Sequence, residues 1–222
     1  GSGISRAFAL EDANVVVNFR SDPAQAAAFA AELDALGKGK IITVQGDVSR
    51  EADAHRVFSE AAAAFSRVDV LVNNAGMVQL ETVEIKDMTL EYYETMVRNN
   101  TSSMFLMCRE MVRHTLERGG RSHIINVLSK ASLSSTSPGQ THYVTSKAGN
   151  MGFTKSLAAE VTKYNIHVNG IMPGFVRNNH FNRLEREDPA AYEKEMETVK
   201  RRSPLGRIAE PIDMGYMCAM LA

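Results

Sequence analysis

VDVLVNNAG, residues 68–76, runs a short apolar, β-branched segment into two asparagines and a glycine. Such a run, bounded by turn residues, predicts a buried strand that delivers polar groups to its carboxyl end. Comparable runs recur at 14–17, 41–44, 123–128 and 166–171, with longer stretches of helical periodicity between them. Buried strands alternating with helices predict a parallel sheet covered on both faces, a doubly wound α/β architecture in a single domain over 1–222. Asp22-Pro23 predicts a capped helix start and Gly37 its end, while Ser49 is placed to cap the next helix. Residues 178–206 are polar and helix-prone, with isolated Phe181, Leu184, Tyr192 and Met196, and read as a helical flap over a site.

Composition narrows the function classes. A chain of 222 residues that is 44% hydrophobic and 23% charged can bury one substantial core. A formal net charge of −1 provides no field for nucleic acid or an anionic membrane. No apolar run has the length of a membrane span, and the six histidines show no metal-ligand spacing, so no metal site is expected. Cys108 and Cys218 lie in apolar helical contexts without a CxxC partner, which fits a reducing, cytoplasmic setting.

In a doubly wound sheet the ligand crevice lies beyond the carboxyl ends of the strands. GSGISRAFAL at 1–10 reads as a glycine turn entering a helix, whose amides at Gly3 and Ile4 suit a pyrophosphate; Gly1-Ser2-Gly3 also fits a cloning remnant. After the run at 14–17, Phe19 stands where a carboxylate would hold a free ribose hydroxyl, and Arg20 and Ser21 follow. A guanidinium and a hydroxyl suit a 2′-phosphate, so NADP(H) is favoured, with NAD(H) possible. Asp47 and Val48 end the next strand, where Asp47 is placed to accept from an adenine amino group, and Asn74, Ala75 and Gly76 end the one after. THYVTSKAG at 141–149 puts Tyr143 and Lys147 one helical turn apart among small residues. By itself the pair fits an amphipathic helix with a snorkelling lysine, or a phenol made acidic by an ammonium.

The ordered set of NNAG at 73–76, Tyr143-Val-Thr-Ser-Lys147 and Pro173-Gly174 resembles the short-chain dehydrogenases/reductases over essentially the whole chain. VVVNFRS at 15–21 and GDVS at 46–49 resemble the branch of 3-oxoacyl-carrier-protein reductases and glucose 1-dehydrogenases. The resemblance implies a Rossmann fold, an oxidoreductase acting on carbonyl or secondary alcohol groups, and a homo-oligomer, tetramer or dimer. It implies catalytic roles for Asn100, Ser129, Tyr143 and Lys147, with Tyr143 as general acid/base and Lys147 lowering its pKa. Ser129 sits one residue further from Tyr143 than is usual, and Ser132 is the fallback. Ser129 and Tyr143 would hold the substrate oxygen; Pro173, Gly174 and Val176 would line the nicotinamide; Met77, His142 and Phe175 would wall the substrate. Arg177, Arg183 and Arg186 would form a basic patch if the substrate rode on a carrier protein. A sugar or polyol dehydrogenase and a non-catalytic NADP(H)-binding sensor are the alternatives. The family's first strand, before the glycine turn, and its last, after Ala222, have no counterpart here, so the expectation is a longer protein.

Overall fold

The computed structural model describes residues 1–77, 82–133 and 138–222. Among the described residues five strands alternate with helices in chain order: α1 Ser2–Leu10, β1 Val15–Phe19, α2 Pro23–Asp34, β2 Ile41–Gln45, α3 Glu51–Phe65 and β3 Val70–Asn73. There follow α4 Leu90–Val97, α5 Ser103–Arg118, β4 Ser122–Val127, α6 Thr141–Val161, β5 Ile166–Ile171, α7 Asn179–Glu187, α8 Pro189–Arg202 and α9 Pro211–Met220. All pairings are parallel, as the alternation of strand and helix requires.

Alternate side chains of each strand serve opposite layers. Leu71, Ile124 and Ile166 pack with Phe58, Met104, Met107 and Met111 of α3 and α5 and with Val161 of α6. Ile125 and Ile171 turn the other way, against Ile4 of α1 and Cys218 of α9. A Cβ at Gly3 would collide with the Pro211 carbonyl, so this glycine lets α1 and α9 approach closely. The segment predicted as a flap is two helices, α7 and α8, with a small core of their own: Phe181, Tyr192, Met196 and Val199.

The strands form two sheets, β1–β2 and β3–β4–β5, rather than one. The facing edges of β1 and β3 do not pair with each other, and both border a cavity of ≈ 1730 Å³. Local punctuation also differs from expectation. Asp22 caps α2 through Gln25 N at 2.8 Å, but the helix ends at Asp34, before Gly37. The hydroxyl of Ser49 bonds Asp47 at 2.7 Å instead of capping α3, whose N-cap is Arg50. For Ser49 the nearer partner, the Asp47 carboxylate, wins the hydroxyl.

Ile124 is wholly excluded from solvent at the centre of the larger core. Ile124→Ala leaves a cavity there and lowers unfolding free energy by about 2–5 kcal/mol, read from the shift in urea midpoint at constant slope.

Candidate active site

The helix α6 carries a polar stripe on its buried face: Tyr143, Ser146, Lys147, Asn150 and Thr154. Their spacing of three and four residues keeps them on one side. The stripe faces strand ends held in register by β4, where Asn126 lies opposite Asn73 on one side and Gly170 on the other. Asn126 accepts from Asn73 Nδ2 at 2.9 Å and donates to Thr154 Oγ1 at 2.9 Å.

Asn100 is buried in a π-helical turn, Arg98–Ser102, between α4 and α5. Its Oδ1 accepts from Met77 N at 2.7 Å, and its Nδ2 donates to Ser146 Oγ at 3.0 Å. The backbone carbonyl of Asn100 accepts from Asn150 Nδ2 at 2.9 Å. Asn100 therefore joins the loop after β3 to α6. A Cβ on Gly76 would come within 2.7 Å of Asn100 Oδ1, which explains a glycine at that point.

The choice between serines resolves clearly. The Ser129 hydroxyl accepts from Ala131 N at 3.2 Å, lines the cavity beside Tyr143, and draws the phenol's pKa down. Ser132 is buried and donates to the Lys147 carbonyl at 2.9 Å, bracing α6. Lys147 Nζ donates to the Val127 carbonyl at 3.0 Å.

The expected acidification of Tyr143 is not present in the chain by itself. Burial pushes the phenol above its ordinary value, and only the Ser129 hydrogen bond opposes the rise. Burial also draws the Lys147 ammonium down to about 8, with no carboxylate holding its charge. Both shifts have one origin, the removal of two ionisable groups from water.

Gly3, Ile4, Arg20, Ser21, Val48, Asn74, Ala75, Gly76, Ser129, Tyr143, Lys147, Pro173, Gly174 and Val176 all line the one cavity. The first turn of α1 points into it with no side-chain cap, leaving backbone amides for an anion. These donors, with Arg20 at the far rim, fit an elongated, phosphate-bearing ligand. Asp47 does not line the cavity. Burial would raise its pKa, but two bonds from Ser49 and the charges of Arg20 and Arg50 bring it below the usual value. Its carboxylate is committed to its own turn.

Of the expected substrate wall, Met77 lines the cavity and Phe175 is half-buried between it and the flap. His142 is wholly buried against Tyr92, ring centroids 5.1 Å apart, and cannot face a substrate. Arg177 is held by Glu185, Glu210 and the Tyr192 hydroxyl, and Arg186 by Glu187, which dismantles most of the expected basic patch. Ser146, Asn150, Asn126 and Thr154 went unnoticed in the sequence, although the spacing of polar residues along 143–154 was a readable signal.

The model of the short chain dehydrogenase family matches residues 1–189. The chain is 31% identical over its full length to a 3-oxoacyl-[acyl-carrier-protein] reductase of Synechocystis sp., covering 84% of that protein. It is 32% identical, again over its full length, to 3beta-hydroxysteroid dehydrogenase 1 of Eggerthella lenta, covering 82%. A double variant of a Serratia marcescens short-chain dehydrogenase/reductase superposes with a TM-score of 0.87 at 25% identity, over 100% of this chain and 85% of that one. The chain belongs to the short-chain dehydrogenases, oxidoreductases that act on CH–OH or C=O groups with NAD(P).

The buried lysine makes a pH signature. Folded Lys147 titrates at about 8, against 10.5 for an ordinary lysine. Between those values the unfolded chain binds more protons, so the Lys147 contribution to stability grows as pH rises and is lost as pH falls toward 8. Urea unfolding of the wild type and Lys147→Met at pH 7.5 and 10 reads this directly. The wild type gains stability relative to the variant at pH 10, and an unchanged difference contradicts the buried ammonium.

Proposed function

We propose that this chain is an NADP(H)-dependent oxidoreductase that interconverts a ketone and a secondary alcohol, with Tyr143 as general acid/base. The arrangement that carries the reading is Tyr143 and Lys147, one helical turn apart on α6, lining together with Ser129 a cavity that also receives the uncapped end of α1. Nicotinamide supplies hydride to the carbonyl carbon, or accepts it from the alcohol carbon in reverse.

Tyr143 donates its phenolic proton to the oxygen of the reduced ketone, and in oxidation its phenolate removes the alcohol proton. Ser129 donates to the same oxygen, a bond that strengthens as negative charge develops. Lys147, released from the Val127 carbonyl, holds ribose hydroxyls and places its positive charge near the phenol, countering the burial that raises its pKa. Asn100 is a positioning residue, holding Met77 and Ser146 and through them the loop and helix on both sides of Tyr143.

The amides of Gly3 and Ile4 would take the pyrophosphate, and Arg20 with Ser21 would take the 2′-phosphate. Val48 would border the adenine, Asn74, Ala75 and Gly76 a ribose, and Pro173, Gly174 and Val176 the carboxamide, all of them lining the same cavity. Asp22, the acid near Arg20, is occupied as the cap of α2, which supports NADP(H) over NAD(H). The exposed Phe105 and Leu116 on α5 support a homo-oligomer formed through that helix. The uncapped cysteine chemistry, with both thiols free and buried, is compatible with a cytoplasmic protein.

Nicotinamide absorbance with a ketone panel, including 3-oxoacyl thioesters and hydroxysteroid-type ketones, tests the reading. Tyr143→Phe lowers kcat by about 10²–10⁴-fold while NADPH still binds by fluorescence titration; retained turnover contradicts the role given to Tyr143. Arg20→Ser weakens NADPH binding by at least about tenfold, with NADH affected far less, whereas equal losses contradict the 2′-phosphate assignment.

A further inference from the structure

One cationic pair beside the site has no use in the mechanism above. Lys130 follows Ser129 directly, and its backbone N–H donates to the Pro173 carbonyl at 3.0 Å, fixing it to the rim of the sheet. Its half-buried side chain lays Nζ 4.0 Å from the centroid of the Phe175 ring. The guanidinium of Arg202, at the end of α8, packs on the same ring with Cζ at 5.6 Å. Phe175 in turn belongs to the small core of the flap. Two positive groups, one after β4 and one at the end of α8, thus converge on one aromatic ring.

Neighbouring flap arginines are neutralised: Arg177 by Glu185 and Glu210, Arg186 by Glu187, and Arg207 by Asp213. Neither Lys130 nor Arg202 has an ion-pair partner among the described residues. Desolvation and the charge of Arg202 both lower the Lys130 pKa, the behaviour of like charges brought together without a counterion. Cation–π contact with Phe175 offsets part of that repulsion but adds no negative charge. An anion between the two would relieve it and gain charge-assisted hydrogen bonds from both.

We propose that Lys130 and Arg202, gathered on Phe175, form a seat for an oxyanion of the substrate, so that the preferred ketone or alcohol carries a carboxylate or a phosphate ester. The inference rests on the oxidoreductase reading and narrows its substrate class. A Cβ on Gly174 would come within 3.9 Å of Lys130 Cδ, so the seat lies at the edge of the cavity that Gly174 and Ser129 line. Arg202 sits on the flap, so the anion also draws α8 toward the sheet rim.

Matched ketones that differ only in charge test the seat: a 3-oxo carboxylate against its ethyl ester, and dihydroxyacetone phosphate against dihydroxyacetone. In the wild type kcat/KM favours the charged member of at least one pair, which also says whether carboxylate or phosphate is the source. Lys130→Gln reduces that preference by about tenfold or more, mainly through KM, and Lys130→Arg restores it. A parallel titration with inorganic phosphate, followed by thermal shift of the intact chain, shows stabilisation that Lys130→Gln loses. If charged and neutral ketones are affected equally, and phosphate does not stabilise, the seat is overturned while Tyr143-dependent turnover leaves the oxidoreductase reading standing. If phosphate binding depends on Lys130 but no ketone or alcohol is turned over, the anion seat stands and the oxidoreductase reading falls.

Discussion

The side chain of Asn126 is the joint on which the site depends. It is fully buried on β4, and both ends of its amide are occupied, by Asn73 of β3 and Thr154 of α6. An unpaired amide in that position would cost about 1–3 kcal/mol, so the register of β3 and the rotation of α6 are selected together. From there the same logic runs outward. Asn150, four residues before Thr154, holds the Asn100 carbonyl, and Asn100 holds Met77 and Ser146. A polar ladder inside an apolar core sets the position of a helix more sharply than packing alone, because a donor rotated away from its acceptors there is left unpaired.

This ladder explains how Tyr143 and Lys147 are kept in an unfavourable place. Burial raises the pKa of one and lowers that of the other, so both charged forms are disfavoured together. The helix holds them there through Ser132, Ser146 and Asn150, none of which titrates in the physiological range. A site prepared in this way responds strongly to any charge that enters it, since few other ions are present to screen it. Lys130 and Arg202 likewise have no carboxylate partner among the described residues, and they lie outside the residues proposed to hold the cofactor.

Glycines of similar appearance serve different ends. Gly3, in what reads as a phosphate turn, is a glycine because α9 passes against it, while the phosphate-ready feature is the uncapped helix start beside it. Gly76 is a glycine because Asn100 reaches the loop after β3. The residue type was legible in each case, but the neighbour that demands it lies far along the chain. Ser49 is decided locally instead: its hydroxyl goes to Asp47, two residues away, and α3 starts without a side-chain cap.

By itself the sequence determined the alternation of strand and helix, the parallel sense of the pairing, and the family to which the chain belongs. Period, β-branching and the Tyr143–Lys147 spacing are local properties, and local sterics decide them. Only the tertiary structure decided that Ser132 is spent on the Lys147 carbonyl, that His142 is interior against Tyr92, and that Arg202 meets Lys130 across Phe175. Those outcomes depend on which groups compete for the same hydrogen bond or the same space, and the competitors come from distant parts of the chain.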